Sequence, residues 1–269
     1  MTGISVVKGH AYGNDFLLVP EDQAEGYDPG PLARAMCHRL TGIGADGLML
    51  YARDGDRVRM RLFNADGSPS EVSGNGVRCL AALMVHRSPG ISRVTIDTLA
   101  GPKVLDLVAG NGDTLTFRAS MGQPENIRLV DLDAAGERVR AVALSVGNPQ
   151  CVLLNDPLDP ERFQKLGPAL EHHSQFPNRT NVSFVRMEAA DRLRILIWER
   201  GVGPTTASGT GACGAAVAAA AHGGAAQDVE VISPGGSQRV EWRRDGDNQI
   251  YLTGWARLVF EGRYVAVSA

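Results

Sequence analysis

The sequence is short of the features that mark a chain for secretion, for a membrane or for nucleic acid. Four cysteines in 269 residues, Cys37, Cys79, Cys151 and Cys213, form no CxxC pair, which supplies neither a disulfide framework nor zinc spacing. They read as reduced, mostly buried thiols. The longest apolar stretch, residues 211–221, is mostly Ala and Gly and about half of the ~20 residues a membrane span needs. Residues 1–16 lack a basic segment followed by an apolar run, and Asn14 and Asp15 would interrupt one. No secretory signal is read there, and a cytoplasmic location is expected. Charge of one sign is missing too: 27 Lys and Arg stand against 30 Asp and Glu, a net charge of −3, with no basic run. That balance makes nucleic acid an unexpected partner. What is present, 43% hydrophobic and 21% charged residues, is ordinary globular usage. The length suits one large domain or two smaller ones.

The chain repeats itself. Phe63-Asn64 stands ten residues ahead of Ser73, and Trp198-Glu199 stands ten ahead of Ser208. Both serines open a Gly-x-Gly turn, Ser73-Gly74-Asn75-Gly76 and Ser208-Gly209-Thr210-Gly211, that leads into an apolar run containing a cysteine. A further pair, Gly13-Asn14 and Gly147-Asn148, keeps nearly the same offset, each ahead of an apolar strand-like run. Matched pairs in one order indicate duplication of a structural unit, and two similar domains are expected at 1–130 and 131–269. Val58-Arg59-Met60-Arg61-Leu62-Phe63 and Leu193-Arg194-Ile195-Leu196-Ile197-Trp198 alternate as half-buried strands do. Residues 77–86 and 212–222, after the glycine turns, read as one long helix in each half. Strands are also read at 94–96, 114–118, 229–232 and 250–252. The fold class is α+β, two pseudo-symmetric domains, each a β-sheet wrapped around a central α-helix.

A helix start carries backbone N–H groups without intrahelical partners and about half a positive charge. Glycines at 74, 76, 209 and 211 let a ligand approach those groups, and Ser73 and Ser208 can cap the helices. One such loop could be no more than a cap. Two of them, with polar Asn14, Asn64, Asn148, Glu199 and Arg200 at neighbouring strand ends, point to a bound carboxylate.

These residues carry a resemblance over nearly the whole chain. Gly13-Asn14-Asp15-Phe16, Thr41-Gly42-Ile43-Gly44-Ala45-Asp46-Gly47, Phe63-Asn64-Ala65-Asp66-Gly67, Gly74-Asn75-Gly76-Val77-Arg78-Cys79, Gly147-Asn148-Pro149, Thr180-Asn181-Val182 and Trp198-Glu199-Arg200-Gly201-Val202-Gly203 resemble diaminopimelate epimerases, cofactor-independent enzymes of amino-acid biosynthesis that invert one stereocentre of a diamino diacid. The resemblance implies two sheet-around-helix domains with the substrate in the cleft between them. It implies that Gly74, Asn75, Gly209 and Thr210 hold the reacting carboxylate through their N–H groups. It further implies that Asn14, Asn64, Asn148, Asn181, Glu199 and Arg200 bind the distal end. No cofactor and no metal are expected; the partner is a small amino-acid substrate, without nucleic acid or membrane, and a homodimer is allowed for.

The reaction centre departs from the pattern. The family places two cysteines on opposite faces of the α-carbon, where this chain has Ser73 and Ser208, and commonly a histidine where it has Gln150. A hydroxyl is a far weaker acid than a thiol that titrates near ~8.5, and the two-cysteine mechanism does not operate with these residues. Cys79 and Cys213, one to two turns inside the helices, are expected to face the core. Paired serines are also what a Cys-to-Ser trapping variant would carry, whereas the added change at Gln150 favours natural divergence. The catalytic candidates are Ser73, Ser208, Gln150 and Glu199. Three readings follow: an epimerase-like amino-acid isomerase; a same-fold enzyme performing an isomerisation or elimination with Glu199 as its ionisable group; and a silent amino-acid-binding relative.

Overall fold

The computed structural model describes residues 3–265. Internal contacts divide it into two compact units: residues up to Ala119 together with those from Gly254 onward, and Ser120–Thr253. The split differs from 1–130 and 131–269 because the last strand, Ile250–Tyr264, changes partners along its length. Its first residues pair with Gly236–Trp242 of the second unit, and its later ones pair antiparallel with Ile4–Ala11 of the first. Strand Glu125–Ala134 pairs with Glu137–Ser145 and so opens the second unit. Alternation marks a strand without naming its neighbour, so this exchange left no trace in the sequence pattern.

Within the first unit, strand Asn14–Pro20 lies parallel to Gly47–Asp54 with Phe16 opposite Gly47. Gly47–Asp54 pairs antiparallel with Arg57–Asn64, setting Gly47 against Asn64. Within the second unit, Pro149–Leu154 lies parallel to Asn181–Ala189 with Gln150 opposite Asn181, and Asn181–Ala189 pairs antiparallel with Arg192–Glu199. The next strands enter in parallel, Arg57 against Thr95 in one unit and Arg192 against Glu230 in the other. Each register in the second unit is that of the first displaced by 134–135 positions, so the duplication seen in the sequence is a duplication of hydrogen-bonded structure.

Among the described residues each unit has two α-helices. The central ones are α2 (Gly74–Arg87) and α4 (Gly209–Ala218); α1 (Pro29–Cys37) and α3 (Pro160–Glu171) are the others. The strands between them are buried on both faces and read as continuous apolar runs. Leu48 and Leu50 join Leu32, Ala33 and Met36 of α1, while Met49, between them, reaches Gly76 of α2. Likewise Cys151 and Leu153 pack with Phe163, Leu166 and Leu170 of α3, and Val152 packs with Ala212, Ala215 and Ala216 of α4. The small side chains of α4 let strands close on it from all sides, which is the burial expected of a helix apolar all round. The sequence reading of one helix per half therefore missed α1 and α3. Their signals are local: Asp28 and Asp159 cap the next turn through Gly30 N–H and Arg162 N–H, with Pro29 and Pro160 at the first helical position.

Candidate active site

Both serine-glycine turns are helix starts. In the first unit Ser73 is the N-cap of α2, and its Oγ accepts the N–H of Gly76 at 3.1 Å. In the second, Ser208 caps α4 and its Oγ accepts the N–H of Gly211 at 3.2 Å. The cap satisfies the third helical N–H and leaves the earlier ones. Among the described residues the N–H groups of Gly74, Gly209 and Thr210 meet no acceptor, and Gly209 is buried. Neither serine hydroxyl donates to an acceptor among the described residues.

An asparagine borders each start. Gly13 and Gly147 hold φ of 86° and 83°, a left-handed turn that glycine tolerates best, and each hands the next residue to the helix beside it. Asn14 Oδ1 accepts from Asn75 Nδ2 at 3.1 Å, and Asn14 Nδ2 donates to Asp46 Oδ2 at 2.7 Å. In the second unit Asn148 Nδ2 donates to Thr210 Oγ1 at 3.2 Å and Asn148 Oδ1 accepts from Gln150 Nε2 at 2.7 Å. The first chain has a charged terminus. Asp46 bonds Arg39 at 2.7 Å, and Arg39 also reaches Asp15, which pairs with Lys8 at 3.0 Å. Burial pushes the Asp15 carboxyl up, but hydrogen bonds from Arg39 and Lys8 outweigh it and hold the group below its ordinary value.

Gln150 is 1% exposed, with its Oε1 unpartnered and its methylenes against Gly214 of α4. It lies in the hydrogen-bonded chain behind Thr210. Asn64 is exposed and donates to Ser68 Oγ at 2.9 Å. Asn181 is buried and bridges backbone, donating to Pro149 O at 3.1 Å and accepting Arg200 N–H at 3.0 Å. Glu199 is half-buried and accepts from Thr205 Oγ1 at 3.1 Å; the exposed Arg200 donates through Nη1 to Asn178 O at 3.2 Å. The structure thus brings Asn14, Ser73, Gly74 and Asn75 together in one unit. In the other it joins Asn148, Gln150 and Thr210 beside Ser208 and Gly209, and links Asn181 to the Glu199-Arg200 turn.

The sequence reading missed Asp46, which accepts from Asn14, Arg39, which bonds Asp46, and Glu171, which accepts from Trp198 and Gly201 on either side of Glu199 and Arg200. Asp46 stands inside a quoted motif, and its place directly before a strand was the available signal; Glu171 had none without α3. All four cysteines are free and buried. Burial pushes the Cys37, Cys79 and Cys151 thiols up to about 12, so these three are not proton carriers at neutral pH. Among the described residues no cluster of His, Cys, Asp and Glu could hold a metal ion, and no helix is long and apolar enough to cross a membrane.

Comparison with known proteins follows the same outline. The family model described as diaminopimelate epimerase matches residues 6–127 and 142–259. A diaminopimelate epimerase of Desulforudis audaxviator is 41% identical over 279 residues, covering 96% of this chain and 98% of its own. That of Desulfitobacterium hafniense is 38% identical over 281 residues, covering 96% and 97%. Among solved structures, a PhzF-family phenazine biosynthesis protein of Bacillus anthracis matches with a TM-score of 0.72 at 16% identity, covering 99% of this chain and 100% of that one. A hydroxyproline epimerase of Agrobacterium vitis, with bound trans-4-OH-L-proline, matches at 0.68 and 16% identity, covering 98% and 91%. These two likenesses are of fold.

Proposed function

The chain belongs to the diaminopimelate epimerase family, which makes it an isomerase of the racemase and epimerase type, and from that premise we propose that it acts on a diamino diacid or a similar amino acid. The N–H groups of Gly74, Asn75, Gly209 and Thr210 take the reacting carboxylate. Asn14, Asn64, Asn148, Asn181, Glu199 and Arg200 read the rest of the molecule. The observation that carries this reading is the pair of similarly built helix starts, each with a capping serine and a bordering asparagine, in which the N–H groups of Gly74, Gly209 and Thr210 meet no acceptor among the described residues. An orphaned N–H on a buried residue such as Gly209 is costly until an acceptor arrives, and a carboxylate brings two oxygens to a place where the helix dipole favours an anion.

Inversion at an α-carbon removes a proton from one face and returns one to the other. Ser73 and Ser208 each accept a backbone N–H and keep their own proton available, so either can deliver a proton. Removing one requires an alkoxide, and the groups hydrogen-bonded around the two helix starts, Asn14, Asn75, Asn148, Gln150 and Thr210, do not take up a proton at neutral pH. Turnover is therefore slow for an enzyme, and binding is kept. Incubation in deuterated water with diaminopimelate, lysine, ornithine and glutamate, followed by mass spectrometry, tests the reading. Slow α-hydrogen exchange confined to the diamino diacid is expected, and a protein that neither binds nor exchanges any of the four overturns it.

A further inference from the structure

Glu199 and Arg200 lie at the end of strand Arg192–Glu199 and in the turn beyond it, and one carboxylate holds the residues on both sides of them. Glu171, the last residue of α3, is 4% exposed. Its Oε2 accepts the indole N–H of Trp198 at 2.8 Å and its Oε1 accepts the backbone N–H of Gly201 at 2.8 Å. Arg179 Nη1 lies 3.5 Å from Oε1, and His172 Nδ1 lies 3.9 Å from Oε2. Burial pushes the Glu171 carboxyl up, but the Trp198 and Gly201 hydrogen bonds, with His172 and Arg179 nearby, hold it below its ordinary value. It is an anion whose oxygens only accept. Between its two contacts, Arg200 N–H is held by Asn181 and the Arg200 guanidinium by Asn178 O.

The duplication supplies an internal control for whether the fold itself needs this carboxylate. Helix α1 ends at Cys37, followed by His38, where α3 ends at Glu171, followed by His172. Cys37 packs in the apolar cluster of the first unit with Phe63, and Phe63 occupies the repeat position of Trp198. The corresponding corner of the first unit carries a thiol and a phenyl ring in place of a carboxylate and an indole, so no side-chain acceptor takes the place of Glu171 there, although Asp15, Arg39 and Asp46 lie near that thiol. The carboxylate and indole occur in the unit whose strand ends in Glu199-Arg200; the first unit has Asn64-Ala65 there. The carboxylate-to-indole contact thus accompanies the Glu199-Arg200 turn and has no counterpart beside Asn64-Ala65.

We propose that Glu171 is a positioning residue for recognition of the substrate's distal group, fixing the turn from Trp198 to Gly201 so that the Glu199 carboxylate and Arg200 guanidinium are presented together. The inference rests on the reading of Glu199 and Arg200 as ligand-binding residues. Glu171 itself touches no substrate.

The test uses the full chain and two variants. Glu171→Gln keeps the shape but offers one acceptor oxygen and an amide NH₂, so either Trp198 or Gly201 faces a donor. Glu171→Cys installs the residue that the other unit carries at this corner. Hydrogen exchange of the Gly201 amide and the Trp198 indole NMR signal are read without ligand. Calorimetry is then run with diaminopimelate and with lysine, which lacks the distal carboxylate. Both variants are expected to fold, to exchange Gly201 about tenfold faster, and to bind diaminopimelate about tenfold more weakly with lysine little changed, since a buried donor left without its acceptor has a cost of that order. Unchanged Gly201 exchange, or equal weakening of both ligands, overturns the proposal and leaves Glu171 a scaffold residue. Failure of the underlying reading is distinguishable, because it shows in the parent: a parent that binds neither ligand removes the site and the inference together.

Discussion

Replacing Ser73 and Ser208 by cysteine and Gln150 by histidine should turn a slow protein into a competent epimerase, and the size of the gain can be worked from the helix starts. A free thiol titrates near ~8.5, and one pKa unit corresponds to ~1.36 kcal/mol. A helix N-terminus stabilises an anion by about 0.3–1 kcal/mol, and by about 2 where partly buried. The thiol pKa then falls by roughly 0.2–1.5 units, which at pH 8 raises the thiolate from roughly a quarter to as much as roughly nine-tenths of the population. A positioned acid or base contributes ~10²–10⁴-fold. Because the two groups act as a unit, the pair should give about that range and not its square. Position 150 can accept the ring: Gln150 lies against Gly214 and reaches Asn148 Oδ1 at 2.7 Å, a contact an imidazole N–H can replace. The assay is α-hydrogen exchange and inversion of diaminopimelate by parent, double-cysteine and triple variants. Partial rescue by the cysteines alone would show that helix dipoles suffice. A parent already turning over at ~1–10³ per second refutes the account of the serines as weak proton carriers. A triple variant that binds tightly but exchanges nothing moves the chemistry to an isomerisation or elimination centred on Glu199.

Three further outcomes are expected. Gly167→Ala would place a Cβ 2.6 Å from Cε3 of the Trp198 ring, so it should destabilise the protein by about 1–3 kcal/mol in urea titration; an unchanged midpoint means the ring has room to move. The folded-state pKa of Asp15 is depressed below its ordinary 3.8, so its contribution to stability is complete above that value and is lost as pH falls through the lower folded pKa. Asp15→Asn should therefore flatten the loss of stability below about pH 4, and equal acid sensitivity of the variant and the parent would contradict the pairing with Arg39 and Lys8. In the native protein Cys37, Cys79 and Cys151, pushed up to about 12, should resist iodoacetamide at pH 8 on a timescale at which the denatured chain labels fully. Fast native labelling of Cys79, read by peptide mass spectrometry, would contradict its burial.

The sequence carried the parts of this molecule that repeat or alternate. The glycine turns, the capping serines and the strands ending at Asn64 and Glu199 were legible because each has a local period or a turn requirement, and the duplication presented each of them twice. α1 and α3 were passed over because neither follows a glycine turn of the repeated kind, although Asp28-Pro29 and Asp159-Pro160 are ordinary helix-start chemistry. The return of the last strand to Ile4–Ala11 was not legible, since pairing partners are chosen by packing across the whole chain. The roles of Arg39 and Glu171 were invisible for a related reason. A carboxylate in a sequence does not announce which indole or amide it will accept from, and it becomes meaningful only when the register places them side by side.

The duplication also separates what the two units do alike from what they do differently. Gly13-Asn14 and Gly147-Asn148, Ser73-Gly74 and Ser208-Gly209, and Gly76 and Gly211 are kept in both, and with them the capped helix start bordered by an asparagine. Gly47 against Asn181, Asn64-Ala65 against Glu199-Arg200, and Cys37 against Glu171 are not kept, and the charged members of these three pairs belong to the second unit, while the first has its own unshared charges in Lys8, Asp15, Arg39 and Asp46 behind Asn14. On the proposed reading the shared features suit the part of the ligand that is read twice, a carboxylate with two equivalent oxygens, and the unshared ones suit a charged distal end that is read once. The serines fit this division. Serine is among the preferred residues at a helix N-cap, so placing it at both reaction-centre positions preserves the geometry that holds the carboxylate and alters the acidity of the groups beside it. On this reading the departures at positions 73, 150 and 208 bear on proton transfer, and binding and turnover should respond to different substitutions: Arg200 and Glu171 for the first, positions 73, 150 and 208 for the second.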